Sequence, residues 1–408
     1  MTRCTHCIYS ILFIVLAFQG QAQFVSTYTT ENSPLPFNTI RCLEHEGQVL
    51  WIGTDEGLAK LENQDNWTVF NTTNSPLWND DIRALKTDGD SLLWIGTVQG
   101  GLFKFNGEQW TNYTPENSGL GDYLIRDIDI DQEGNIWVAT TEGLYLFDRL
   151  NWSTWTMENG LLSNNISAIC IDADKKYIGT INGGVLYFDA ENSYTNHTIA
   201  DSGIPDNTAL NIELDSDGKP WFISPAAGLV MDQGIGGPWV AFNTSNSGMP
   251  SNSLLCLKHG TNGVVYIGSE TGGVIAKSAN DYSQITMSNS NLTDNHILCI
   301  EKGNEGGLWA GTFDGGLCKI DYTASLESEI ESSLEVYPTV LKPSQTLYFS
   351  TNVSANYKLS NALGMVLKRG DFINKRQIVL PKKMSTGWVY LEVKTKNKTW
   401  YRKILITE

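Results

Sequence analysis

The sequence predicts an all-β chain built around a seven-bladed β-propeller, and three observations lead there. One ten-residue phrase returns at a nearly fixed spacing. The segments between its copies alternate apolar and polar residues at period two, with Gly and Asn turns between them. The first strand-like segment after the N-terminal leader is an orphan copy of a strand whose partners are missing.

The phrase is "VLWIGTDEGL" at 49–58, and it recurs as "LLWIGTVQGGL" at 92–102, "NIWVATTEGL" at 135–144 and "GLWAGTFDGGL" at 307–317. Its opening aromatic is Trp51, Trp94, Trp137, Tyr177, Trp221, Tyr266 and Trp309, at intervals of 43, 43, 40, 44, 45 and 43 residues. Strand signals repeating at this period describe four-stranded blades arranged around an axis. A solenoid of helix pairs would need apolar spacing of three and four, which these segments lack.

Each copy reads as four strands. In the second, A is 81–88 ("DIRALKTD"), B 92–97 ("LLWIGT"), C 100–105 ("GGLFKF") and D 109–114 ("QWTNYT"). The D strand recurs as "NWTVFNTTNSPL", "NWSTWTMENGL" and "PWVAFNTSNSGM". The segment "FVSTYTTENSPL" at 24–35 is a D strand with no A, B or C before it, and the seventh copy ends after its C strand, "GGLCKIDY". Pairing the first strand with the last blade would close the ring and cover an exposed sheet edge.

The first 22 residues read as a signal peptide: Arg3, then the apolar run "IYSILFIVLAF", then "GQA" at the cleavage position. That run is short for a bilayer span, and no other stretch approaches it, so no membrane span is expected. Charge divides the remainder. Residues 23–334 hold 14 Lys and Arg against 41 acids, whereas 335–408 hold 13 against 4. The acidic part disfavours nucleic acid and anionic lipid as partners, since both are bound through cationic patches. The expected organisation is signal peptide 1–22, propeller 23–322, acidic linker 323–334 and a C-terminal β-sandwich at 335–408.

Five cysteines follow the leader, and Cys42, Cys256 and Cys299 share one position in their A strands, where Ala84 and Ala168 stand in other copies. This pattern describes a small buried residue between blades rather than a disulfide or metal site. "DIDIDQEGN" resembles a calcium loop, but Asp127 and Asp129 fall in strand A and the turn Gly is off the EF-hand spacing. No cofactor or metal is expected.

Strands alternate in direction within a blade, so the D-to-A loops and B-to-C hairpins share one face. The loops bring Phe37, Trp78, Asp80, Tyr123, Asn164, Asp206, Asn252 and His296; the hairpins bring Glu56, Gln99, Glu142, Asn182, Thr271 and Asp314. Carboxylates and amides with exposed aromatics suit a polyhydroxylated ligand, and Asp, Glu or Asn before Gly also suits ordinary turn chemistry. Arg41, Arg83 and Arg126 share one A-strand position near that face. They form a cationic arc for a uronate or sulfate, or pair with neighbouring acids such as Asp81 and Asp127. No catalytic set, nucleophile motif or phosphate loop is present, and the histidines lie in different copies without metal spacing.

The phrase G-x-L-W-I-G-T-x-x-G-L after D-x-x-G resembles the repeats of two-component regulator propellers, found in periplasmic sensors of Bacteroidetes hybrid histidine kinases that respond to oligosaccharides. The resemblance covers 24–322 and is nearest at Trp94–Leu102 and Trp309–Leu317. The tail resembles the C-terminal sorting domain of the type IX secretion system. Tyr337 and Pro338, Gly364, Gly387 and Lys403 carry that likeness, while Thr339 stands where the family commonly has Asn. These resemblances imply a secreted or surface-attached propeller that binds a glycan or oligosaccharide and engages the type IX machinery through its tail. A polysaccharide lyase and a protein-binding scaffold are the alternatives.

Overall fold

A computed structural model describes residues 24–321, apart from 64, 90–91, 190, 234–237, 261–262, 279–280 and 304–306, and residues 336–407, apart from 338–339, 343–344, 362–365, 382–385 and 395–398. The expected signal peptide and linker lie outside the described residues, as do Pro338, Thr339 and Gly364 of the tail motif. The chain divides into two compact units, Met1–Thr323 and Ala324–Glu408.

The first unit holds seven four-stranded antiparallel sheets. In blade 1 the strands are A (Ile40–Glu46), B (Val49–Thr54), C (Gly57–Glu62) and D (Asn66–Phe70), and the same order repeats through blade 6. Blade 7 takes A, B and C from Ile297–Lys302, Leu308–Thr312 and Leu317–Asp321, and its D strand from the other end of the chain, Phe24–Tyr28. That strand runs antiparallel to C, with Phe24 opposite Asp321 and Tyr28 opposite Leu317. The A strands of successive blades touch around the whole circle, blade 7 against blade 1 included, so they wall a central channel.

The repeated phrase encodes the joint between blades. Its tryptophan is buried and stacks on the D strand of its own blade while meeting the C strand of the next. Trp94 lies 5.9 Å from Tyr113 and 6.3 Å from Phe147; Trp137 lies 5.4 Å from Trp155 and 5.2 Å from Phe188. Such ring pairs add about 0.5–1.5 kcal/mol beyond the area they bury. Its glycine is a notch. A Cβ on Gly96 would stand 2.5 Å from Ile125 Cγ2, and one on Gly311 would stand 2.6 Å from Ile40 Cγ2, so each notch admits the first isoleucine of the following A strand. Ile40 and Ile125 are fully buried there. The threonine locks the hairpin: Thr54 Oγ1 donates to the Gly57 carbonyl at 2.8 Å and accepts from the Glu56 N–H at 3.2 Å. Thr97, Thr140, Thr180 and Thr312 donate likewise in their blades.

In the second unit, six strands join one sheet in the order Val336–Tyr337, Thr346–Asn361, Gly387–Lys394, Thr399–Ile406, Val340–Leu341, with Val366–Val379 paired to Thr346–Asn361. The two longest strands keep their pairing through register shifts between Tyr348 and Ala355, which bend them. Leu359, Leu391 and Ile404 are buried within this unit.

Candidate functional site

Hydrogen bonds place the D-to-A loops and B-to-C hairpins on one face. The blade 7 hairpin bonds back to its own loop (Phe313 N–H to His296 O, 2.9 Å) and forward to the next (Gly316 N–H to Asn38 O, 3.1 Å). Gly101 reaches Tyr123 O at 3.1 Å and Gly184 reaches Asn207 O at 2.7 Å in the same way. Loops and hairpins therefore alternate in a braced collar. At the hairpin tips Glu56, Gln99, Glu142, Asn182, Thr271 and Asp314 are all exposed.

The loops are fixed by two asparagine-type braces. Asn74 accepts from the Asn71 N–H at 2.8 Å and donates to Val69 O at 3.0 Å, and Asn32, Asn117, Asn159, Asn246 and Asn289 repeat this pattern. The second brace shows the turn chemistry that the sequence left open for these residues. Asp80, Asn164 and Asn252, which the sequence puts on the loop face, accept the N–H groups of Thr72 (2.7 Å), Met157 (2.5 Å) and Thr244 (2.8 Å). A sharp loop leaves backbone donors that need acceptors, and these side chains supply them. Asp206 is likewise engaged, by Ser224 Oγ at 2.6 Å. Tyr123 occupies the second-brace position in the third loop. Its hydroxyl bonds to Glu116, which lowers the Glu116 pKa and raises that of Tyr123.

Exposed apolar side chains gather on this collar: Phe37, Trp78 (63 % exposed), Met157, Leu162, Ile199, Met287 and Phe313, whereas Leu150 is exposed in a C-to-D turn. Phe313 stacks on His296 with centroids 4.9 Å apart, and the Arg41 guanidinium lies 6.0 Å from the Phe313 ring centre.

The three arginines sit at β-bulges. The A–B register slips between Ile40 and Cys42, Ile82 and Ala84, and Ile125 and Asp127, leaving Arg41, Arg83 and Arg126 as the extra residues. A bulge residue is released from the pleat and can be re-aimed. Arg41 forks onto Asp55 (Nε–Oδ1 2.5 Å, Nη2–Oδ2 2.8 Å), whereas Arg83 pairs with Asp81 through one hydrogen bond (Nη2–Oδ2 2.7 Å) beside a 2.6 Å Nε–Oδ1 ion contact, with Asp55 3.9 Å from its Nη2. Asp81 thus pairs as one of the two readings had it. Asp127 does not: its carboxylate faces blade 4 and accepts the Ile169 N–H at 2.8 Å, because the bulge turns it away from Arg126. Arg126 forms no ion pair among the described residues, and burial lowers its pKa against the pull of Asp122.

Deeper in the channel lies a ring the sequence reading missed. Three residues beyond each bulge stand Glu44, Lys86, Asp129, Cys170, Glu213, Lys258 and Glu301. Lys258 bridges Glu213 and Glu301 at 3.0 Å each, Lys86 meets Asp129 at 2.8 Å, and Glu44 accepts from Thr87 Oγ1 at 2.8 Å. The signal was present as a charge at one repeat position in six of seven copies. Burial raises the Glu44 pKa, while Asp129 and Glu44 hold Lys86 above its usual value despite burial. Asp127, half-buried near Asp129, is pushed up to about 7 by desolvation. Cys42 and Cys299 fill the blade joints, their sulfurs 3.8 and 3.6 Å from the carbonyls of Ile82 and Ile40.

The "DQEG" turn is held from within. Asp131 accepts the Trp137 indole N–H at 2.9 Å and the Asn135 N–H at 2.8 Å, so the aspartate is committed to its own turn. Among the described residues no group of three or more His, Cys, Asp or Glu is disposed to hold a metal, and no helix is long and apolar enough to cross a membrane.

This architecture defines a seven-bladed β-propeller closed by its N-terminal strand, and solved structures resemble it in fold. The extracellular domain of a hybrid two-component system from B. thetaiotaomicron matches with a TM-score of 0.65 and 18 % identity, over 95 % of this chain and 58 % of that one. PorZ, a surface component of the type IX secretion system of Porphyromonas gingivalis, matches at 0.58 and 16 % identity, over 91 % and 60 %. Virginiamycin B lyase from Staphylococcus aureus matches at 0.59 and 12 %, over 72 % and 98 %. The chain thus spans about three fifths of the first two, and at these identities the likeness is one of fold. No protein-family model and no curated protein matches the sequence.

Proposed function

We propose that this is a secreted or surface-attached binding propeller whose collar of loops and hairpins takes a glycan or oligosaccharide. The observation that carries the reading is Trp78, 63 % exposed on a loop whose polar groups are already braced. A flat indole held in the open among exposed acids and amides offers a stacking surface beside hydroxyl acceptors. The leader-like N-terminus, the sorting-domain resemblance of 335–408 and the extracellular or surface origin of two fold neighbours support export through the type IX system. A glycan-array screen of the full secreted chain tests this: wild type should retain a defined glycan set that Trp78→Ala loses, and an empty array would reject it.

A second reading, a protein-binding scaffold, is favoured by the gathering of seven exposed apolar side chains on the same collar. A lyase would need an Arg–His or Tyr–His pair converging at the mouth. Arg41 and His296 both pack on Phe313, but Arg41 is already forked onto Asp55.

A further inference from the structure

The bulge position forms a ring of its own. In blade order it reads Arg41, Arg83, Arg126, Ser167, Leu210, Leu255 and Leu298, every one half-buried. The slip recurs before Ala168, Cys256 and Cys299. In blade 5 the ladder begins at Asn211, and the Leu210 N–H bonds to Ile223 O at 2.8 Å, which puts Leu210 in the matching place. One arc is cationic and the other is aliphatic.

The cationic arc is not uniform. Asp55 and Asp81 neutralise Arg41 and Arg83, whereas Arg126 forms no ion pair among the described residues. Asp122, whose charge acts on Arg126, is engaged by the Thr141 N–H and hydroxyl at 3.1 and 2.6 Å. In a seven-membered ring the third position faces the gap between the sixth and seventh, so ring order sets the Arg126 position across the mouth from those of Leu255 and Leu298. A half-buried guanidinium opposite aliphatic side chains, within an acidic protein, is complementary to one kind of molecule.

We propose that the channel mouth binds an amphipathic organic anion, its carboxylate or sulfonate on Arg126 and its apolar body against Leu255 and Leu298. This site is separate from Trp78 and does not depend on the collar binding a glycan.

The test uses the full chain and two dyes of similar shape, the anionic 1-anilinonaphthalene-8-sulfonate and the neutral N-phenyl-1-naphthylamine, titrated by fluorescence and calorimetry. Wild type should bind one sulfonate per chain. Arg126→Gln should weaken the sulfonate about tenfold or more, the scale of a charge-assisted hydrogen bond, and the neutral dye less than twofold. The double change Leu255→Ser, Leu298→Ser should weaken both dyes, and Trp78→Ala neither. Should Arg126→Gln not fold, wild type alone still decides: affinity for the sulfonate must fall with added salt while that of the neutral dye does not. Equal sulfonate binding by folded Arg126→Gln, loss of binding in Trp78→Ala, salt-independent binding, or no saturable site would each overturn the proposal.

Discussion

Tyr28 packs against Trp67 with ring centres 5.7 Å apart. Phe70 meets Trp110 at 5.7 Å and Tyr113 meets Trp152 at 6.0 Å, so the N-terminal strand reproduces the D-to-D contact made elsewhere by strands contiguous with their blades. Tyr28 also lies 6.0 Å from Trp309 of its adopted blade. Deleting 24–35 therefore removes the edge partner of blade 7 and the face against which blade 1 rests. The truncated chain should lose the single cooperative melting transition; an unchanged calorimetric melt would refute the closure.

Gly96 makes a sharper test of the joint between blades 2 and 3. Gly96→Ala forces a Cβ against Ile125, and overpacking of this kind costs about 1–3 kcal/mol. Gly96→Ala should cost less in an Ile125→Ala background, because that change removes the Cγ2 atom the new Cβ strikes. Denaturant midpoints of the single and double variants measure this, and additive losses would show that the two positions are not coupled.

Asp127 predicts a pH dependence. Burial raises its folded pKa from 3.8 to about 7. Below 3.8 it is protonated in both states; from there to about 7 the unfolded chain ionises first, so this contribution to stability declines as pH rises. Asn211, at the same position in blade 5, makes the same forward bond, to the Leu257 N–H at 2.9 Å. Asp127→Asn should therefore fold and, at pH 8, exceed wild type by roughly 2–4 kcal/mol, with the gap closing toward pH 4. His259, lowered to about 4 by burial, acts in the opposite sense in both proteins and cancels in the comparison. A constant gap in melting temperature between pH 4 and 8 would refute the assignment.

Trp78→Ala and Tyr123→Ala should each weaken a glycan identified by array by roughly 1–3 kcal/mol, the scale of a lost aromatic anchor. Both residues lie in loops rather than in strands, so melting temperatures should stay near wild type. Calorimetric binding by the double variant at wild-type strength would favour the scaffold reading.

Removing 335–408 should leave the propeller folded and hold it in the periplasm. The propeller unit carries its own closed set of sheets, and export is assigned to the tail by resemblance. Fractionation that finds the truncated chain on the surface or in the medium at the usual level would dismiss that role.

The blade number and the closing strand could be read from the sequence because each blade repeats the same physical problem, and the solution seen in Trp94, Gly96 and Thr97 returns in most copies with Tyr, Ala or Ser as close substitutes. The brace residues were equally visible as a pattern. Their purpose was not, since an Asn on a surface loop looks alike whether it serves a ligand or its own backbone. Tyr123, breaking the Asn pattern at its position, was a signal that aligning the loops would have exposed. The bulge escaped notice because one extra residue reverses which face a side chain occupies, and period-two reasoning then sends Asp127 to the wrong neighbour.

The glycine notch and its isoleucine, present at Gly53, Gly96, Gly268 and Gly311, give a repeat a socket at one side and a tab at the other. A copy inserted at any loop would arrive with both fittings already matched to its neighbours, so a gene could lengthen or rearrange such a ring by duplication without redesigning a joint. Blade 3, with Ala139 in the socket and Ile166 as the incoming tab, shows the tolerance of that part: one methyl group, taken up with both residues fully buried.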